Sequence, residues 1–351
     1  MTSAEQNRYA RHIMLPEIGL AGQQRLAGAA VLVVGCGGLG CPVLQYLTAA
    51  GVGTIGLLDA DTVDETNLQR QVLYSTADVG QLKVEAAQAK LAALNPYVTF
   101  RPLAQHLTAA NALTILPDYD VVVDCSDNFA TRYLVNDACV LLGKPLVFGA
   151  IFKFEGQLSV FNYQGGPTYR CLYPEPPEPD EMPSCSDIGV LGVLPGIVGM
   201  LQANETLKIL LQLGEVLQGK LLVFNSLTMS FQSFSFQAVE ANQHLTKLVD
   251  YEELCGFAIQ EITAAGLKLK LKTGEALQLV DVREPHEHAQ RNLGGQLLPL
   301  GHLTEHLDKL QPTIPVVVYC QSGGRSRKAA RLLQDRGFPV VYSLQNGLAD
   351  F

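Results

Sequence analysis

The chain has no surplus of positive charge. Its 351 residues carry 25 Lys and Arg against 34 Asp and Glu, a net charge of -9. That balance argues against bulk attraction to nucleic acid or to an anionic membrane, while leaving local basic pockets open. No apolar run is long enough for a membrane span. The longest, Val190–Leu201, is broken by Pro195 and by glycines, whereas a spanning helix needs about 20 apolar residues. Met1–Ala10 is polar, so no secretory signal is expected. The 8 cysteines form no regular framework. Reduced thiols and a cytoplasmic location are therefore expected, not a disulfide scaffold. Internal repeats and low-complexity segments are also missing.

What is present suffices for two domains of ordinary size, with 48% apolar residues to build their cores. Short helices are expected over Arg8–Arg25. Strands are expected at Ala30–Val34, Thr54–Asp59, Val98–Pro102, Asp120–Asp124 and Leu146–Ala150. Helices are expected at Leu39–Ala50, Gln81–Leu94 and Asn128–Leu141. This alternation predicts a Rossmann-like α/β fold, a mostly parallel sheet with helices on both faces. Gly156–Tyr163 alternates apolar and polar residues, which predicts an antiparallel edge. Tyr163–Asp187 is proline-rich and shows neither period, so it reads as a lid or a disordered segment. Val190–Leu213 reads as a long helix, bent near Pro195 and Gly199, followed by strands at Leu221–Phe224 and Met229–Phe236. The expected front domain is 1–237 and the linker 238–258. A small α/β domain follows at 259–351, with strands at Leu277–Val282, Val316–Tyr319 and Val340–Ser343 and a helix at Ser326–Asp335.

Gly35-Cys36-Gly37-Gly38-Leu39-Gly40 lies between a strand and a helix. There, backbone N–H groups and a helix N-terminus can meet phosphate. Asp59 lies about twenty residues on, where an acid receives ribose hydroxyls. A dinucleotide-binding dehydrogenase fits these features too. Downstream, Asn67-Leu68-Gln69-Arg70-Gln71 and Lys83 add two cations, Arg70 and Lys83, that suit a triphosphate better than a dinucleotide. Asp127 follows the fourth strand, where a carboxylate can hold Mg²⁺. Capping of the helix from Asn128 explains Asp127 equally well.

In order and spacing, Arg8-Tyr9-Ala10-Arg11, Gly35–Gly40, Leu58-Asp59, Asn67–Gln71, Lys83 and Asp124-Cys125-Ser126-Asp127-Asn128 resemble the MoeB/ThiF family. This is a branch of the ubiquitin-activating-enzyme superfamily, and the likeness runs from Arg8 to Phe236. It implies ATP-dependent adenylation of the C-terminal Gly-Gly carboxylate of a ubiquitin-like sulfur carrier protein. It implies an ATP site of Gly35, Gly37, Gly38, Gly40, Asp59, Asn67, Arg70, Gln71, Lys83 and Asp127, with Asp59 on ribose, Arg70 and Lys83 on phosphates and Asp127 on Mg²⁺. Arg11 would reach into the partner's site across a homodimer, as an arginine finger does.

Cys185 stands where the proline-rich segment meets the long helix, a place that lowers a thiol pKa. The resemblance makes it the cysteine that bonds to the activated carrier; a small buried filler is the plainer alternative. The family often carries zinc on two Cys-x-x-Cys pairs. Here Thr168 replaces one cysteine and Glu252 another, leaving Cys171 and Cys255. No zinc is expected.

In the back domain, Val316–Tyr319 leads into Cys320-Gln321-Ser322-Gly323-Gly324-Arg325. Its glycines let N–H groups turn toward the sulfur, and Arg325 and the helix N-terminus add positive potential. That suits a thiolate or persulfide. The loop resembles that of rhodanese-like sulfurtransferases, together with Leu279–Glu284, Leu293–Gln296 and Gln345–Leu348. Asp281 is expected to tie down the sheet edge, and His286 and His288 to be exposed loop residues.

The combined resemblance is to fused adenylyltransferase–sulfurtransferases of molybdopterin synthesis and, in some organisms, tRNA thiolation, with thiamine biosynthesis as the related pathway. It implies a persulfide on Cys320 loaded by an outside donor such as a cysteine desulfurase. Adenylation of another peptide or tRNA-linked acyl group, an NAD-dependent oxidoreductase and a non-catalytic carrier-binding scaffold are the other readings.

Overall fold

A computed structural model describes residues 1–177, 189–255 and 259–351. Residue contacts divide the described chain into two compact units, the first ending at Tyr251 and the second beginning at residue 252. No helix among the described residues is long and apolar enough to cross a membrane.

The first unit is built on one eight-stranded sheet. Its strands are β1 (Ala30–Val34), β2 (Thr54–Leu58), β3 (Thr99–Leu103), β4 (Val121–Asp124), β5 (Leu146–Phe152), β6 (Glu155–Phe161), β7 (Lys220–Asn225) and β8 (Ser230–Ser235), in the order β3-β2-β1-β4-β5-β6-β7-β8. The first five are parallel, with Val31 beside Ile55 on one flank and Val121 on the other. A central parallel strand is covered on both faces, which is why Val31–Val34 is an unbroken apolar run. Helices Gly40–Ala50, Lys83–Leu94 and Phe129–Leu142 supply crossovers, so β1, β2 and β4 all point their carboxyl ends the same way.

β6 is antiparallel as expected but does not lie at an edge. β7 pairs with it, Leu158 beside Leu222, and β8 extends the sheet further. Alternation along one strand reports its faces, not how many neighbours it has. The long helix spans Val193–Leu211, so Pro195 falls in its first turn, where a missing N–H breaks no helix bond. Within the proline-rich segment a short helix forms at Tyr169–Leu172.

The second unit is a parallel five-stranded sheet. It comprises β9 (Gln260–Ile262), β10 (Gln278–Asp281), β11 (Gln296–Leu297), β12 (Val316–Tyr319) and β13 (Val341–Leu344), ordered β11-β10-β12-β13-β9. Two of these strands, β9 and β11, are too short to show a period. Ala264–Lys272 is helical although Leu267, Leu269 and Leu271 alternate with lysines as a strand would. Only Leu267 is buried, and the Thr263 hydroxyl caps the helix by accepting the Gly266 N–H at 3.1 Å.

Candidate functional site

The carboxyl ends of β1, β2 and β4 carry the first cluster. Gly35 leaves β1 with φ +93°, and a Cβ there would stand 2.8 Å from the Cys125 carbonyl oxygen. A Cβ on Gly40 would run into the Gly35 carbonyl, whereas one on Gly37 would meet only Gln71 Nε2, at 3.6 Å. Gly40→Ala should therefore force the loop open, costing about 3 kcal/mol by overpacking, and lower the melting temperature together with ATP affinity. Gly37→Ala should melt like wild type. Equal melting of both variants would contradict this packing.

Asp59 Oδ2 accepts the Cys36 N–H at 2.8 Å, and Oδ1 accepts the Asp61 N–H at 2.8 Å. Each oxygen keeps a lone pair for a ribose hydroxyl. Lys83, buried at the start of its helix, donates to Asp61 Oδ2 at 2.9 Å and lies 4.0 Å from Asp59 Oδ2. Burial opposes the Lys83 ammonium, but Asp59, Asp61 and Asp127 outweigh it and raise its pKa. Burial likewise pushes Asp59 up, against the pull of Lys83. Asp61 was not legible as a partner in the sequence, since nothing local ties it to a lysine on a later helix.

Arg70 lies against the loop, its Cγ 3.6 Å from where a Gly38 Cβ would be, with Nη1 donating to Thr66 O at 3.1 Å. Asn67 turns its Oδ1 back to the Asp64 N–H at 3.3 Å. Gln71 is 4% exposed, and its Oε1 has no hydrogen-bond partner among the described residues. A buried amide beside an open glycine loop fits a polar ligand such as a phosphate, to which the amide can turn its NH₂ group.

Asp127 is exposed beyond the end of β4. The helix cap is Asn128, whose Oδ1 accepts the Thr131 N–H at 2.9 Å, so capping does not account for Asp127. One exposed carboxylate, close enough to Lys83 to raise its pKa, fits Mg²⁺, which typically takes one or two carboxylates and completes its shell with phosphates and water. Arg11 is exposed on Ala10–Ile13 and makes no hydrogen bond or ion pair among the described residues. Cys185 lies outside the described residues. Cys171 accepts the Val239 N–H at 3.2 Å and sits 3.4 Å from the Thr168 hydroxyl.

The second cluster surrounds Cys320, which is 1% exposed. Its Sγ accepts N–H bonds from Gly323 at 3.2 Å and from Ser326 at 3.3 Å, and lies 3.6 Å from the Ser326 hydroxyl. Gly323, at φ +90°, turns the chain into helix Gly324–Asp335. Gln321 and Ser322 complete the loop. Burial pushes the Cys320 thiol up, but the Ser326 hydroxyl and the backbone donors outweigh it and lower the pKa. At Cys36, Cys41 and Cys125 burial wins instead and pushes all three up, Cys41 to about 12.

Arg325 does not aim its charge at the sulfur alone. Its guanidinium makes a two-pronged pair with Glu287, at 2.7 and 2.6 Å. The Ser326 hydroxyl, followed by the backbone donors, therefore does much of what Arg325 was expected to do. His286 and His288 lie on helix Pro285–Gln290, not in a loop, and His288 Nδ1 is 2.8 Å from buried Asp281 Oδ2. Asp281 also pairs with Arg283 at 2.6 Å, and its strand β10 is one place in from the edge.

Arg325's hydrogen bonds hold Glu287 well below its ordinary value of 4.5, at about 2. A depressed folded pKa gives stability that is complete above pH 4.5 and is lost as pH falls toward about 2. Glu287→Gln should thus melt below wild type near neutral pH, and the gap should narrow by about pH 3. A gap independent of pH would contradict the pairing.

Comparison with known proteins places residues 9–245 in a match to the ThiF family and residues 263–351 in a match to the rhodanese-like domain. The chain is 43% identical to the probable adenylyltransferase/sulfurtransferase MoeZ of Mycobacterium tuberculosis, over 99% of this chain and 93% of that protein. It is 53% identical to a sulfur carrier protein adenylyltransferase of Thermus thermophilus, over 73% of this chain and 98% of that one. E. coli MccB, solved with ATP, shares the fold at a TM-score of 0.58 and 24% identity, covering 67% of this chain and 73% of that chain.

Proposed function

The chain belongs to the ThiF family, with a rhodanese-like domain behind it, and on that premise we propose that it turns the terminal carboxylate of a ubiquitin-like sulfur carrier protein into a thiocarboxylate. It is an enzyme, an adenylyltransferase with a sulfurtransferase domain. The carrier carboxylate attacks the α-phosphate of ATP, giving an acyl-adenylate and pyrophosphate. Asp59 holds ribose, the glycine loop and Gln71 meet the phosphates, and Arg70 and Lys83 offset their charge. Asp127 would hold Mg²⁺, which neutralises triphosphate charge. Arg11 acts in the partner's site of a homodimer.

A persulfide on Cys320, loaded by an outside donor such as a cysteine desulfurase, then attacks the acyl carbon and AMP leaves. The product is an acyl disulfide joined to Cys320. A second thiol, Cys185 in this reading, attacks the Cys320 sulfur and releases the carrier thiocarboxylate. The resulting disulfide needs a two-electron thiol reductant before the next cycle. The reaction suits molybdopterin or thiamine biosynthesis.

The observation that carries this reading is the Cys320 cradle of two N–H donors at 3.2 and 3.3 Å. ThiF-type adenylation alone leaves the acyl acceptor open, and a stabilised sulfur supplies one. The test incubates the enzyme with a Gly-Gly-ended carrier, ATP, a cysteine desulfurase with cysteine as persulfide donor, and a thiol reductant, and weighs the carrier intact. An oxygen-to-sulfur mass gain is expected. Formation of adenylate with no sulfur gain under any donor would overturn the second half; no pyrophosphate release at all would overturn the first.

A further inference from the structure

Three cations are buried among the described residues: Lys83, Arg132 and Arg283. Lys83 is paired with Asp61 at 2.9 Å, and Arg283 with Asp281 at 2.6 Å. Arg132, 8% exposed, forms no ion pair among the described residues, and its Nε has no hydrogen-bond partner there. Its one hydrogen bond runs from Nη2 to the Ser126 carbonyl at 3.5 Å, the outer limit for such a contact. A buried charge left this way is destabilising by several kcal/mol in general, so its presence calls for an explanation, and a ligand that meets it is one.

The guanidinium is nonetheless held in place. It lies over the Phe129 ring at 5.1 Å and the Phe148 ring at 5.8 Å, one from its own helix and one from β5. Aromatic faces orient a cation without neutralising it. Asp124, an acid whose charge Arg132 feels, is a reluctant counter-ion. Burial pushes its carboxyl up, and its Oδ2 has no partner among the described residues.

Location supplies the rest. Arg132 is one turn into the helix capped by Asn128, and its bonded carbonyl belongs to Ser126, the neighbour of Asp127. The strand order β2-β1-β4-β5 sets Asp59, the glycine loop and Asp127 side by side. A nucleotide lying from β2 to β4 leaves the β4–β5 side for the group that attacks its α-phosphate. That is where Arg132 sits.

We propose that Arg132 receives the carboxylate about to be adenylated and orients it toward the α-phosphate, so that it selects a free acid at the substrate's terminus. A carboxylate offers the two-pronged partner that a guanidinium lacks here. The assignment rests on the adenylation reading given above, and the test separates the two.

The probe is the Gly-Gly-ended sulfur carrier protein of the same organism, prepared with a terminal carboxylate or a terminal carboxamide. Its affinity is measured for wild-type, Arg132→Gln and Arg132→Lys full-length enzyme in the presence of a non-hydrolysable ATP analogue. Wild type should prefer the carboxylate by about tenfold or more, as charge-assisted bonds do. Arg132→Gln should bring the ratio to about one, and Arg132→Lys should leave part of it. Because it is a ratio, the preference does not depend on the fraction folded. Should Arg132→Gln fail to fold, the Lys variant decides. An unchanged ratio in the variants, or no preference in wild type, overturns the assignment and marks Arg132 as structural. Wild type that releases no pyrophosphate with the carboxylate form would instead overturn adenylation itself.

Discussion

Cys320→Ser is expected to end sulfur transfer altogether while ATP–pyrophosphate exchange continues at the wild-type rate. A serine oxygen cannot carry a persulfide sulfur, so no residual pathway through this loop survives. The fold should tolerate the change, because the Gly323 and Ser326 N–H groups that now meet Sγ can meet a hydroxyl oxygen. Four other described thiols offer little rescue: burial pushes Cys36, Cys41, Cys125 and Cys139 up, so they remain protonated and poorly nucleophilic. Intact-mass measurement of the carrier checks this, with exchange assayed alongside. Thiocarboxylate still formed by the variant would remove Cys320 from the mechanism. Loss of exchange together with sulfur transfer would contradict two separable chemistries.

Asp127→Ala is expected to reduce carrier-dependent exchange by about 10²–10³-fold, the range seen when one preorganised electrostatic contact to a transition state is removed. Its carboxylate is close enough to Lys83 to help raise the Lys83 pKa. On the proposed function, removing it takes away both the Mg²⁺ ligand and part of the field that keeps Lys83 charged. Since Asn128, not Asp127, caps helix Phe129–Leu142, the change should leave that cap in place. Wild-type exchange in this variant would move the metal elsewhere. A large fall in melting temperature would show that the side chain is structural.

Much of this was readable along the chain. The run Val31–Val34 ending in Gly35, and the run Val316–Tyr319 ending in Cys320, each announce a strand that stops at a loop with special backbone needs. Such features lie within a few adjacent residues, where sterics and N–H direction decide them. The interior place of β6 was not readable, because its further neighbour β7 arrives much later in sequence. The helical state of Ala264–Lys272 was not readable either, because its Leu-Lys alternation matches a strand and tertiary burial selects only Leu267.

By itself, then, the sequence determined the two reactive loops and the α/β scaffolds that present them, since these follow from local backbone geometry and short-range hydrophobic pattern. Tertiary structure alone decided how charge is distributed around them. Arg325 is answered by Glu287, Lys83 by Asp61 and Arg283 by Asp281, while Arg132 is left to its aromatic neighbours. Coulomb interactions depend on separation in space and on burial, not on separation along the chain. A list of residues therefore names the ions, and only the folded arrangement says which of them already has a counter-ion and which is still waiting for one.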